Sequence, residues 1–126
     1  MNNPAVRQMR LASTTLTSAL ASISDRELQG LQSAIYGAPN MVPGLVAWLD
    51  SAVDWEIHRR LGFNYELQGP TAAIPDADVE SSLAALAILA EQFLDSGDPG
   101  RSSIGRFFDA TAQVLRAQVE RPDGPQ

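Results

Sequence analysis

The chain has 126 residues, 44% of them hydrophobic, and no cysteine. A chain of this length can form one domain with its own core, and the lack of cysteine excludes disulfide scaffolds, zinc–thiolate sites and thiol nucleophiles. The formal net charge is −6 and all nine basic residues are arginine, which excludes lysine chemistry such as a P-loop phosphate site or a Schiff base. No signal-peptide pattern or bilayer-length apolar run is present, so we expect a cytoplasmic protein without a membrane partner.

Two helices are predicted in the first part of the chain. Ser24 and Glu27 have the spacing of a capping box, which predicts a short helix over residues 25–36 that Gly37 would close in the left-handed conformation. A longer helix over residues 4–22 is predicted before it, because apolar residues there fall at helical steps: Val6, Met9, Leu16, Leu20 and Ile23.

The third predicted helix covers residues 43–61. Pro43 suits its first turn and Gly62 its end. Trp48 and Trp55 share a stripe beside its apolar face, and we expect the core to be organised around this helix.

The rest of the chain predicts a loop over residues 62–75, helices over 77–96 and 103–120, and a flexible tail at 122–126. The fold class is therefore all-α, a compact bundle of about five helices forming one domain over residues 1–121. The core is expected to depend on five residues: Leu49, Val53, Leu86, Phe93 and Leu115.

Acidic residues are concentrated in the second half of the chain. Residues 61–100 contain seven carboxylates and no base, which disfavours direct binding of nucleic acid. The stretch serves either solubility alone or docking on a basic protein. We expect a non-enzymatic protein-binding module of phage or mobile-element type, such as an inhibitor or decoy of a nucleic-acid-handling protein. The candidate contact residues are Glu66, Asp76, Asp78, Glu80, Glu91 and Asp95.

A second candidate surface consists of Trp48, Trp55, Arg59 and Arg60, because tryptophan and arginine are enriched at binding hot spots. The alternative role of these arginines is structural. Glu56 precedes them by three and four residues, the spacing of a helical ion pair.

Two further functions stay open as alternatives. Asp50, Asp54 and His58 lie four residues apart on the third helix, so they could bind a metal or catalyse hydrolysis. A lone helix rarely supplies a whole site, so we expect no metal, no cofactor and no catalysis. The other alternative is a self-associating structural protein, a homodimer that covers an exposed apolar stripe.

Overall fold

The computed structural model describes residues 6–10, 14–38, 41–62 and 71–120, and within them five α-helices dominate. The predicted all-α fold class is confirmed, and the predicted tail lies outside the described residues. A two-stranded antiparallel sheet accompanies the bundle, and a 3₁₀ turn over Asp76–Asp78 precedes the fourth helix. The elements are β1 (Val6–Arg10), α1 (Thr14–Ala21), α2 (Asp25–Gly37), α3 (Pro43–Arg60), β2 (Thr71–Pro75), α4 (Val79–Leu94) and α5 (Pro99–Glu120).

Local capping signals set the ends of α2 and α3. The Ser24 hydroxyl accepts a hydrogen bond from the Glu27 amide at 3.2 Å, as the capping box predicts. The Glu27 carboxylate lies against Gly100 in the first turn of α5, where negative charge complements the helix dipole. Pro43 opens α3, and Gly62 follows the helix with a φ of 98°, a left-handed conformation that favours glycine.

The prediction of a helix over residues 4–22 is wrong in its first half. Residues 6–10 form β1, which pairs antiparallel with β2 from Val6 opposite Pro75 to Arg10 opposite Thr71. Met9 and Ile74 are buried on the side of the sheet that faces α3 and α5. Gly44 lets β2 approach α3, because a Cβ there would overlap the Ala73 carbonyl oxygen.

Two other predicted helix boundaries need correction. Gly37 stays within α2 rather than taking a left-handed conformation. Helix α5 begins at Pro99 rather than near residue 103, because proline suits the first helical position and the Asp98 carboxylate accepts from the Gly100 amide at 3.3 Å.

The core is centred on α5 more than on α3, contrary to the sequence-based expectation. Helix α5 packs against α4, α1, α2 and β1. Its Phe107 stacks on Trp48 of α3 with ring centroids 6.3 Å apart, and its Phe108 lies 5.9 Å from the Phe93 ring of α4. The expected core is confirmed by the burial of five residues: Leu49, Val53, Leu86, Phe93 and Leu115.

Replacing Leu49 by alanine should lower the free energy of unfolding by about 2–5 kcal/mol, because the side chain is fully buried and its loss leaves a cavity. Leu61→Ala is the matched control. Leu61 is 69% exposed, so its substitution should change stability by about 0.5 kcal/mol or less. Chemical denaturation measures both, and equal losses in the two variants would contradict the assignment of the α3 core face.

Candidate functional site

Helix α4 lies at the side of the bundle and packs mainly on α5. Gly105 makes the contact close, because a Cβ there would come within 3.0 Å of the Ala90 carbonyl oxygen. The guanidinium of Arg101 lies over the Phe93 ring, 4.6 Å from its centroid, and adds a cation–π contact at the same interface. One face of α4 is therefore fixed, and the opposite face is directed outward.

Acidic side chains border this outward face of α4. Glu80 near the start of the helix, and Glu91 and Asp95 near its end, are exposed. Asp76 is exposed and Asp78 partly exposed in the preceding 3₁₀ turn. Five of the six candidate acidic residues are therefore at least partly exposed, whereas Glu66 lies outside the described residues.

An apolar stretch separates the two acidic ends. Ala84, Ala87 and Ile88 are exposed, and they follow Glu80 at steps of four, seven and eight residues, so all lie on the same side of α4. The Ile88 side chain is 57% exposed. We call the surface formed by Glu80, Ala84, Ala87, Ile88 and Glu91 the α4 face.

The proposed tryptophan–arginine surface does not assemble. Trp48 is fully buried against Phe107, so it cannot contact a partner. The Trp55 side chain is partly buried, and its indole N–H is enclosed without an acceptor among the described residues. Arg60 points into the bundle, which leaves Arg59 as the most accessible member.

Arg59 and Arg60 instead neutralise Glu56, a carboxylate with no exposed surface. The Arg59 Nε donates to Glu56 Oε1 at 2.9 Å, and the Arg60 Nε donates to Oε2 at 2.7 Å. The structural role of these arginines therefore accounts for both of the predicted spacings.

Arg60 extends this pairing to two other helices. Its Nη1 donates to Asp25 Oδ1 at 2.7 Å, at the start of α2. Its Nη2 donates to the carbonyl oxygen of Leu20 at 2.9 Å and to that of Ile23. We call Glu56, Arg59, Arg60 and Asp25 the Glu56 charge cluster, in which Glu56 is buried and Asp25 is exposed. Burial raises the pKa of Glu56, but hydrogen bonds and charges from the two arginines outweigh it and hold the pKa below its ordinary value.

The candidate metal residues on α3 make other contacts. The His58 Nδ1 lies 2.8 Å from the backbone oxygen of Asp54 and 3.4 Å from its carboxylate. Asp50 accepts a hydrogen bond from the exposed Tyr36 hydroxyl, which raises the pKa of that tyrosine. Within the described part of the chain, no group of three or more histidine or acidic side chains has a geometry that could hold a metal ion.

A shallow groove of about 360 Å³ lies between α1 and α5. Its lining is mixed, with hydroxyls from α1 and charged side chains from α5: Thr15, Ser18, Ala19, Ser22, Arg106, Asp109, Ala110 and Gln113. Gln113 donates to Asp109 at 3.0 Å, so part of this polarity is satisfied within the groove.

Comparison with known proteins gives no relative: no family model matches the chain, and no curated protein or solved structure matches it significantly. None of the described helices is long and apolar enough to cross a membrane.

The Glu56 charge cluster predicts a loss of stability in acid. Because the folded-state pKa of Glu56 lies below its ordinary value of 4.5, its stabilisation is present above that value and is lost as the pH falls below it. Denaturation midpoints measured from neutral pH to about pH 3 should fall less steeply for Glu56→Gln than for the wild type. Parallel curves would show that Glu56 contributes no pH dependence.

The two arginines should differ in their contributions. Arg60→Ala should lower the free energy of unfolding by about 3–5 kcal/mol, because it leaves the buried Glu56 carboxylate and two backbone carbonyls without this partner. Arg59→Ala, which removes a side chain that is 47% exposed, should cost about 1 kcal/mol or less. Equal costs in urea denaturation would contradict the assignment of Arg60 as the link between helices.

Proposed function

We propose that this protein is a small non-enzymatic binding module that docks on a basic surface of another protein. The observation that carries the proposal is the α4 face, where Glu80 and Glu91 flank exposed apolar residues. Among the described residues, the ion pairs lie on α2 and α3, and neither Glu80 nor Glu91 takes part in one. The negative potential of these two exposed carboxylates is therefore directed to solvent and to any approaching cation.

The charge pattern also supports a class of partner. An acidic face repels nucleic acid and attracts the basic surfaces that bind it. The form of binding we propose is therefore inhibition or mimicry, in which the carboxylates of the α4 face occupy phosphate-binding arginines or lysines of a nucleic-acid-handling protein.

Reversing the charge of Glu80 and Glu91 should weaken binding to the host partner by slowing association about tenfold or more, because the charges steer the encounter. Affinity capture from the source cells, followed by association-rate measurements on the captured partner, tests this with Glu80→Arg/Glu91→Arg. Raising the salt should slow wild-type association in the same way, since screening acts over about 8 Å at physiological ionic strength.

Asp54→Arg/Asp109→Arg is the matched control, because it makes the same change in net charge on α3 and α5, where both aspartates are exposed. It should slow association much less than the α4 variant. If both variants slow association equally, binding depends on net charge and not on the α4 face. If neither variant nor added salt slows association, the proposal is wrong.

A further inference from the structure

We infer that the occupant of the α4 face is a single amphipathic helix carrying arginine or lysine at both ends of an apolar stripe. This inference rests on the proposed function and specifies the partner's contact element. It depends on the order of side chains along α4, which places apolar groups between two exposed carboxylates.

The spacing of the carboxylates defines the occupant's length. Glu80 and Glu91 are eleven residues apart, which corresponds to about 16 Å along a helix axis. A partner helix lying along α4 would meet both carboxylates with cationic side chains separated by a similar number of residues. Its apolar stripe of two to three turns would cover Ala84, Ala87 and Ile88.

The surface favours a helix over an extended peptide. The outward side of α4 offers no strand edge, so an extended chain would gain no backbone partners there, whereas a helix satisfies its own backbone groups. Ala84 and Ala87 permit close approach of a second helix, and the larger Ile88 can enter a groove between its side chains.

Charge distinguishes this occupant from a second copy of the chain. A symmetric pair of α4 helices aligned antiparallel about residues 85 and 86 would place Glu80 of one copy beside Glu91 of the other. A parallel pair would place like residues together. Both arrangements place carboxylates of the two copies next to each other, and residues 61–100 contain no base to neutralise them. A basic helix meets the same surface with attraction at both ends.

The test uses the full-length protein and a designed, fluorescently labelled peptide. The peptide is held helical by side-chain bridges and carries arginines eleven residues apart with leucines between them. A second peptide keeps the arginines and their spacing, lacks the bridges, and has one central residue replaced by proline to prevent the helix. Fluorescence anisotropy gives the affinities, and backbone amide NMR shifts locate the contact. We expect the helical peptide to bind about tenfold tighter than its proline counterpart and to shift amides of α4.

Ile88→Ser should weaken binding of the helical peptide about tenfold, because an apolar contact of this size is lost. Leu61→Ser is the matched control, since Leu61 is at least as exposed but lies at the end of α3, and it should leave the affinity unchanged. Circular dichroism and denaturation of both variants verify that the fold is retained.

Each alternative outcome overturns the inference in a distinguishable way. Suppose both peptides bind equally, and reversal of Glu80 and Glu91 weakens this binding but Ile88→Ser does not. The proposed basic partner would then still hold, but the inference that its contact element is a helix would be wrong. Concentration-dependent dimerisation that Ile88→Ser abolishes would assign the α4 face to a second copy. Binding unaffected by any α4 variant would refute both the inference and the proposed site.

Discussion

The buried carboxylate of Glu56 constrains the rest of this fold. A charge removed from water must be paired, and both available partners follow it on α3, one turn later. Arg60 meets this requirement while also binding the last carbonyls of the α1 region and Asp25 at the start of α2. Because one guanidinium joins these groups, the corner between α1 and α2 is fixed against the end of α3.

This internal pairing shapes the charged surface. Arg59 and Arg60 are committed to Glu56 and Asp25, so they cannot neutralise acids elsewhere. Arg101, the first base after the acidic stretch, has its guanidinium over Phe93 at the α4–α5 interface. Among the described residues, Glu80 and Glu91 of α4 make no ion pair, and both carboxylates are exposed.

The helix ends that depend on nearby residues could be predicted from the sequence. The contacts between residues far apart in the sequence could not. The Ser24 cap, Pro43 and Gly62 act within a few residues of their helices, so α2 and α3 could be read from the sequence. The strand at 6–10 pairs with residues 71–75, and no pattern around Met9 indicates a partner so distant in sequence. Helical spacing placed Trp48 on a stripe beside the apolar face of α3 and Arg60 one turn after Glu56. Only tertiary packing determines that Trp48 stacks on Phe107 and that Arg60 turns inward. The excess of acidic residues, by contrast, is a property of composition, so its prediction does not depend on the exact ends of the helices.

The rigidity of α4 bears on how such a surface would select partners. Gly105 and the contact between Phe93 and Phe108 hold α4 closely on α5, so its outward side chains are presented on a preformed helix. Binding would then require little ordering of this chain, and most of the conformational entropy cost would fall on the partner. Isolated helices of two to four turns are marginal in water, so a partner segment that folds on contact would lose much of its binding energy to ordering. A basic helix already stabilised within a folded protein would avoid that loss, and among equally charged partners the α4 face should prefer it.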